Sequence, residues 1–334
     1  MKRIGSTVIE FEKNIYIESF ASVVGKKEGD GPLGSQFDMV VKDSYFAEKS
    51  WEQAEAKFQT TALKLALAKG RLSSTDINLL FAGDLLNQCI ASSFGALGLD
   101  IPFLGQYGAC STMGQTIFMA SMAVEGGAAE KAAAVTSSHF CTAERQFRLP
   151  LEYGGQRTPT AQWTVMGSGA VIIGKEGKVR VKRAAVGKIR DLQVKDVSNM
   201  GAAMAPAAAN TIFEFLKDTG TFPKDYDAIF TGDLGLVGSE LLYELLESNG
   251  TDIKDVHKDC GLMIYYLKEQ DVHAGGSGCG CCASVLCGHI LPALKRGELK
   301  RVLFCPTGAL MSTVSSQQGQ AIPGICHALE LVSE

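Results

Sequence analysis

The chain carries the same strand-and-turn pattern twice. Residues 79–86 (LLFAGDLL) return as residues 228–235 (AIFTGDLG), and both copies contain a Gly-Asp-Leu turn. Further along, residues 108–112 (GACST) are echoed by residues 276–280 (GSGCG), each ahead of a long segment of small residues. Self-similarity on this scale predicts two stacked copies of one βαβ-rich unit. Differences between the copies then indicate where function lies.

The predicted organisation is an α/β fold of two similar halves, residues 1–174 and 175–334. The charged turn Lys175-Glu176-Gly177-Lys178 marks the division. A chain of 334 residues is long enough for two units with ample cores. Strands that alternate with helices predict mostly parallel sheets covered on both faces. Two such sheets with helices between them form a layered α-β-α-β-α sandwich.

Local signals place individual elements within this scheme. Ser50 begins a capping box ahead of a helix predicted over Trp51–Lys69, whereas residues 1–35 are predicted to be mostly loop. Residues 139–162 show no regular period. A long irregular segment inside a compact domain is usually functional. An oligomer contact is the alternative interpretation.

Composition excludes several classes of function. The net charge is −4 and there is no basic stripe, which argues against nucleic-acid binding. Ten cysteines in a chain without a signal sequence do not form the pattern of a disulfide framework. No uncharged apolar run approaches the roughly 20 residues of a membrane helix. We therefore expect a soluble protein made in the cytoplasm, with any membrane attachment supplied by partners.

Cys110 is the candidate nucleophile. It lies between a predicted strand end and a predicted helix start, where free backbone N–H groups and the helix dipole favour negative charge. In such a position a thiol pKa can fall to roughly 3.5–7.5, which activates it for acyl transfer. The alternative is a small buried thiol at a tight turn.

These features together resemble the thiolase superfamily, which includes thiolases and ketoacyl synthases. The resemblance rests on the two-fold repeat, on Cys110 at the first long helix and on the glycine-rich strand at residues 166–170 (MGSGA). More specific motifs resemble a sporulation branch of that superfamily and span nearly the whole chain; they are residues 83–88, 136–139, 142–146, 161–165, 204–209 and 259–265.

The resemblance implies a soluble homodimer that belongs to the spore machinery for moving dipicolinic acid. It implies membrane-embedded partner subunits, a peripheral location at the spore inner membrane, and no cofactor. Whether Ca²⁺ accompanies the ligand stays open.

Compared residue by residue with the superfamily, this chain lacks most of the catalytic residues. Cys110 matches the superfamily nucleophile, but residues 278–280 lack the histidine that thiolases place there. Residues 232–234 and 276–278 lack the histidine and asparagine of the synthases, and the cysteine turn at residues 305–308 is one residue too long. Loss of a base and of an oxyanion donor each costs orders of magnitude in rate. We therefore expect a thiolase fold without thiolase chemistry and assign no catalytic residue.

The residues predicted to bind dipicolinate are the polar groups expected around Cys110, the position of the superfamily's nucleophile: Asp84, Cys110, Ser111, Thr112, Ser137, His139, Glu144 and Arg145. Dipicolinate is a planar pyridine with two carboxylates, so a site for it needs fixed donors. Asp84 and Glu144 are expected to orient these donors, since a bare carboxylate would repel the ligand. For Asp84, a strand-end turn residue shared with Asp233 is the stronger interpretation.

Each remaining member of this set has an expected contact. The amides of Ser111 and Thr112 at a helix start are expected to bind one carboxylate. Arg145 is expected to bind the other as a bidentate fork. Ser137 and His139 follow the last strand of the first half, where ligands enter α/β sheets.

Two rival functions are consistent with the same residues. One is an acyl-transfer or condensing enzyme that uses Cys110 with His139 as its base. The other is a scaffold in which the pocket is vestigial and only the surface matters.

The second-half cysteines at positions 279, 281, 282 and 287 do not have the spacing of a zinc knuckle, and we predict no metal there. Cys279 occupies the thiolase base position, which suggests a thiol near Cys110 that mild oxidation could link to it.

Overall fold

The structure is a computed structural model that describes residues 1–147 and 157–334. The strands, numbered in chain order, are β1 Lys2–Ile4, β2 Val8–Glu10, β3 Tyr16–Gly25, β4 Met39–Val41, β5 Leu79–Gly83, β6 Phe103–Gly105, β7 Ala132–Ser138, β8 Trp163–Thr164, β9 Gly167–Gly174, β10 Val179–Ala185, β11 Ala228–Thr231, β12 His257–Asp259, β13 Gly276–Ser277, β14 Arg301–Cys305, β15 Thr307–Ala309, β16 Gly324–Cys326 and β17 Ala328–Ser333. The helices are α1 Lys26–Gly29, α2 Trp51–Gly70, α3 Ile90–Ala96, α4 Thr112–Gly126, α5 Phe140–Phe147, α6 Met200–Thr219, α7 Gly235–Glu247, α8 Cys260–Met263, α9 Cys279–Val285, α10 Leu291–Arg296 and α11 Thr313–Gln317.

The two halves build their main sheets in the same order. In the first half β3 pairs antiparallel with β9 and β9 with β7, after which β7, β5 and β6 run parallel. In the second half β10 pairs antiparallel with β17 and β17 with β14, after which β14, β11 and β12 run parallel. The α/β fold class and the repeated pattern read from the sequence are confirmed. The predicted division after residue 174 coincides with the end of β9, ahead of the turn to β10.

Helices cover both faces of each sheet, and the most buried helices lie between the sheets. Helix α2 packs on the outer face of the first sheet through Phe58 and Leu63. Helices α6 and α7 pack on the outer face of the second. Between the sheets, Met113 and Ile117 of α4 join Phe230 of β11 in one cluster that also includes α9 and α10. Each such fully buried side chain contributes roughly 1.5–3 kcal/mol, so this middle layer is a major source of stability.

Several local predictions are wrong. Residues 1–35 are not mostly loop, because β3 is a ten-residue strand that pairs with β9 and with β10 and so joins the two main sheets into one continuous sheet. The segment 139–162 contains α5, whose buried residues pack toward the body of the protein. Its remaining predicted members at 148–156 lie outside the described residues. A single strand predicted over 163–174 is two: β8 pairs with β13, and β9 joins the main sheet.

Helix α6 begins at Met200, six residues before Pro206, although a proline usually lies in the first turn of a helix. The side chain of Asn199 caps it by accepting from the amide of Ala202 at 3.2 Å, and Pro206 lies inside the helix. Gly201 approaches Gly238 of α7 so closely that an added Cβ would lie 2.9 Å from the Gly238 nitrogen. This contact fixes the first turn despite the proline.

Within the described ranges 1–147 and 157–334, we find no helix with both the length and the apolarity for a membrane span.

Candidate functional site

A cavity opens beside Cys110, where the loop after β6 leads into α4. Its walls come from both halves of the chain. The lining residues are mostly apolar with a few hydroxyl groups: Leu85, Tyr107, Ala109, Cys110, Ala143, Glu144, Phe147, Thr164, Met200, Ser277, Ala309 and Met311. An apolar cavity with a few convergent polar groups is the usual form of a small-molecule site.

A short chain of polar contacts starts at Cys110 and ends at a buried carboxyl. The Cys110 Sγ lies 3.8 Å from the Ser277 Oγ, and the Ser277 hydroxyl donates to the Asp233 Oδ2 at 2.9 Å. The same oxygen accepts from the Gly278 amide at 2.9 Å, and Oδ1 accepts from the Thr307 hydroxyl at 2.8 Å. Asp233 is the second-half counterpart of Asp84. The second half therefore places an acid where synthases have a histidine.

The predicted activation of Cys110 is wrong in direction. Burial raises the pKa of the thiol well above its ordinary value, and the neighbouring Asp233 raises it further. The helix dipole that the sequence suggested is weak beside these effects, because it acts on a thiol with almost no contact with water. Cys110 is held as a neutral thiol.

Ser111 and Thr112 do not offer free donors. Their amides donate to the carbonyls of Gly108 and Ala109 at 3.1 and 3.2 Å, as the chain tightens into α4. Their hydroxyls donate to the same carbonyls at 2.7 and 2.6 Å. Both side chains are fully buried and neither lines the cavity. The predicted carboxylate site at these amides is therefore already satisfied by the protein.

His139 is a buried structural residue in this arrangement. Its Nε2 donates to the Ser44 carbonyl at 2.8 Å, and its Nδ1 accepts from the Cys141 amide at 3.2 Å. Burial lowers the pKa of the imidazole, so it is neutral. With both ring nitrogens engaged and no place in the cavity lining, His139 is not positioned as a base for Cys110.

Arg145 lies in a neighbouring groove rather than in the Cys110 cavity. It forms an ion pair with Glu52 of α2, and its guanidinium lies 5.4 Å from the centre of the Trp51 ring. The groove, which we call the Arg145 groove, is lined by Glu52, Leu86, Asn87, Gln88, Ile90, Thr142, Arg145 and Gln146. The prediction of a bidentate fork inside the Cys110 cavity is therefore wrong for this arrangement.

Asp84 and Ser137 belong to a buried polar network behind the cavity wall. Asp84 accepts from the amides of Leu86 and Ser92 at 2.9 and 2.8 Å, which supports the turn after β5. Ser137 donates to Glu55 of α2 at 3.1 Å. Burial raises the pKa of both Asp84 and Glu55. The turn-residue interpretation of Asp84 agrees with these contacts.

Glu144 lines the cavity but its charge is paired. Its carboxylate forms an ion pair with Arg157, whose Nη1 donates to the Gln162 carbonyl at 2.6 Å. The Arg157 guanidinium also lies 4.8 Å from the centre of the Trp163 ring, which stacks on Phe140 with ring centres 4.0 Å apart. Of the predicted set, the structure brings only Cys110 and Glu144 together at the cavity.

The second-half cysteines point to different backbone carbonyls. The thiol of Cys279 donates to the Ser137 carbonyl at 2.8 Å, and that of Cys282 lies 3.6 Å from the Cys110 carbonyl. Cys287 donates toward Ala170 of β9. Cys279 and Cys110 share one apolar cluster, and their oxidation to a disulfide stays a prediction.

Sequence reasoning missed three residues of this site. The segments that contain Ser277 and Asp233 were considered only because they lack the asparagine and histidine of the synthases, although the position of both residues in the second copy of the repeat was the signal. Glu55 stands on the apolar face of α2 between Ala54 and Phe58. A charged residue on a buried face is the pattern that should have marked it.

Comparison with known proteins identifies the family of this chain. The sequence matches the stage V sporulation protein AD (SpoVAD) family over residues 5–332. It is 48% identical over 330 residues to stage V sporulation protein AD of Bacillus subtilis (strain 168), which covers 98% of this chain and 97% of that protein.

Two solved structures share the fold at low identity. The first is 3-oxoacyl-[acyl-carrier-protein] synthase III from Aquifex aeolicus, with a TM-score of 0.58 and 13% identity over 95% of this chain and 99% of that one. The second is cerulenin-bound OleA from Xanthomonas campestris, with a TM-score of 0.61 and 14% identity over 96% and 97% of the two chains. These likenesses establish the thiolase-like fold, and the sequence match assigns the chain to the stage V sporulation protein AD family.

Proposed function

We propose that this protein binds dipicolinate in the Cys110 cavity without catalysing a reaction. It would act with membrane-embedded subunits of the same complex at the spore inner membrane, in uptake and release of the ligand. The observation that carries the proposal is the contact chain Cys110–Ser277–Asp233. A cavity is present at Cys110, the position of the superfamily's nucleophile, but the thiol beside Asp233 stays protonated. A cavity retained without an activated nucleophile suits binding better than turnover.

The cavity offers groups suited to a planar aromatic dianion. Thr164 and Tyr107 line it, and within the described part of the chain neither hydroxyl makes a hydrogen bond. Tyr107 and Phe147 provide aromatic surface for the pyridine ring. A second depression contains Tyr107 and Phe147 and shares Asn87, among others, with the Arg145 groove. We infer that an anion reaches the cavity along this path and passes Arg145 on the way.

The donor role of Thr164 gives a direct test. Thr164→Val keeps the side-chain shape and removes the hydroxyl, and a hydrogen bond to a charged group contributes about 1.5–3 kcal/mol. Dipicolinate affinity, measured by calorimetry on the reduced protein, should fall by about tenfold or more. The matched control, Thr251→Val beyond α7, should bind like wild type. Equal affinity of all three proteins would remove Thr164 from the site.

The acyl-transfer enzyme is the rival that the superfamily position of Cys110 supports. Acylation would require the thiol to lose its proton beside Asp233, whose carboxyl raises the pKa of the thiol, and no histidine is among the residues that line the cavity. Mass spectrometry after incubation with acyl-CoA should show no stable adduct on Cys110. An adduct that Cys110→Ala abolishes would favour the enzyme.

We also propose that the protein is a homodimer. The terminal strand β6 exposes half of Leu104, and nearby Phe94 and Leu97 are 60% and 77% exposed. Apolar residues clustered at an open sheet edge mark a contact surface. Sedimentation should give the mass of two chains, and Leu97→Glu should shift it toward one.

A further inference from the structure

Among the described residues that line the Cys110 cavity, Glu144 is the one with a charged side chain. It lies on α5 and is buried. A carboxylate in the cavity wall would repel a dianion such as dipicolinate, because two like charges about 6 Å apart change an affinity roughly tenfold or more at the dielectric constant of a partly buried site. Binding of the proposed ligand therefore requires that the negative charge of Glu144 is balanced.

Arg157 supplies a balancing positive charge from behind the cavity wall. Its Nη2 forms an ion pair with the Glu144 Oε1, and the two side chains are only 16% and 10% exposed. Arg157 itself is not among the lining residues, so it faces the carboxylate rather than the cavity. Solvent ions screen a largely buried pair much less than a pair on the surface. The pair thus leaves this part of the wall without net charge.

Three further contacts fix the Arg157 guanidinium in this place. Its Nη1 donates to the Gln162 carbonyl at 2.6 Å. Its central carbon lies 4.8 Å from the centre of the Trp163 ring and 5.2 Å from the centre of the Phe140 ring, which is the geometry of a cation–π contact. Phe140 is on α5, and Trp163 is on β8 beside the cavity residue Thr164. The cation therefore lies between the two elements that form this side of the cavity.

We propose that Arg157 determines the charge selectivity of the Cys110 cavity: by balancing Glu144 it allows a small anionic aromatic ligand to enter. Without Arg157 the same cavity would present an unbalanced carboxylate and would favour neutral or cationic ligands. The inference rests on the proposed function for the identity of the ligand. It adds the residue that makes an anion acceptable there.

Two other charged groups lie near this part of the cavity. Asp233 is buried behind Ser277, whose hydroxyl donates to it. Lys27 lies with its Nζ 4.0 Å from the centre of the Trp163 ring. Neither residue is changed in the variants compared below, so their charges do not contribute to the differences between those variants.

The first test is calorimetric titration with dipicolinate at pH 8. It compares wild type, Arg157→Gln and the double variant Arg157→Gln/Glu144→Gln, with melting temperatures to establish that each is folded. Affinity should fall roughly tenfold or more in Arg157→Gln, because the Glu144 carboxylate loses this counter-charge. The double variant carries no charge at either position and should bind within about threefold of wild type.

Recovery in the double variant separates a role in charge from a role in structure. If Arg157 acted only by holding α5 against β8, the second substitution would not restore binding. A folded Arg157→Gln protein with wild-type affinity, or a double variant that stays as weak as Arg157→Gln, would overturn the inference and leave the dipicolinate site standing.

Arg296→Gln is the matched control for loss of a positive charge. Arg296 pairs with Glu298 at 2.7 Å, but both side chains are exposed, at 56% and 58%. This variant has the same net charge as Arg157→Gln and should bind dipicolinate as wild type does. An equal loss of affinity in the two variants would mean that the ligand responds to the net charge of the protein, which would contradict the role of Arg157.

Alkylation of Cys110 measures the charge preference of the cavity without dipicolinate. Iodoacetate is an anion and iodoacetamide is neutral, but both react with the same thiolate, so the ionisation of the thiol cancels from the ratio of their rates. Measured at Cys110 by peptide mass spectrometry, the ratio of the iodoacetate rate to the iodoacetamide rate should fall roughly tenfold in Arg157→Gln and return in the double variant.

The alkylation ratio also separates the inference from the proposed function. Equal ratios in wild type and Arg157→Gln would overturn the inference. A ratio that shifts as expected in a protein that does not bind dipicolinate would reject the proposed function while the role of Arg157 in the cavity stands.

Discussion

Replacing Gly169 by valine should lower the free energy of unfolding by roughly 3 kcal/mol or more, because overpacking a rigid core contact is costly. Gly169 lies on β9, in the first sheet, where α9 of the second half packs directly against it. An added Cβ would lie 2.3 Å from the Ala283 carbonyl oxygen and 2.6 Å from its carbon. Both atoms are backbone in the middle layer, so they cannot move aside as a flexible side chain would. Urea unfolding followed by circular dichroism measures the loss.

Gly126→Ala is the matched control for this substitution. Gly126 ends α4, and an added Cβ there meets no heavy atom within 4 Å. Alanine favours helix over glycine by up to about 1 kcal/mol, so this variant should be as stable as wild type or slightly more stable. Wild-type stability in Gly169→Val would mean that the sheet and α9 are farther apart than the structure places them.

Ala143→Phe should reduce dipicolinate affinity by about two orders of magnitude or more, a loss near 3 kcal/mol. Ala143 is 4% exposed and lines the cavity with Leu85 and Cys110. A phenyl ring at this position occupies the space that the proposed ligand needs. Calorimetry measures the affinity, and the melting temperature establishes that the variant is folded.

Cys141→Ala controls for effects on α5 itself. Cys141 is on the same helix but is absent from the cavity lining, so its replacement should leave affinity within about twofold of wild type, near the error of additive estimates. A folded Ala143→Phe protein with wild-type affinity would place dipicolinate outside the Cys110 cavity.

The repeat made most of the fold predictable. The strand-and-turn pattern at residues 79–86 predicted a strand, and the structure has one at Leu79–Gly83, because a short apolar run before a turn marks a buried strand. The long strand β3, Tyr16–Gly25, was missed because no clear turn signal separates it from the residues before it. The helix α5 was missed because its polar residues obscured a short amphipathic pattern.

The chemistry of the site was less predictable, because it depends on contacts between the two halves. The position of Cys110 was read correctly, but the direction of its pKa shift depends on burial and on Asp233 from the second half. Arg145 was placed in the wrong depression, since its direction depends on the helical turn of α5 and on Glu52. Such distant neighbours leave no local sequence signal.

Calorimetric titration of the reduced wild-type protein with dipicolinate, beside acyl-CoA labelling of the same sample, tests the central claim most directly. The account predicts saturable binding of one dipicolinate per chain and no acyl adduct on Cys110. An acylated Cys110 in a protein that does not bind dipicolinate would contradict it, and would assign this member of the family to acyl-transfer chemistry.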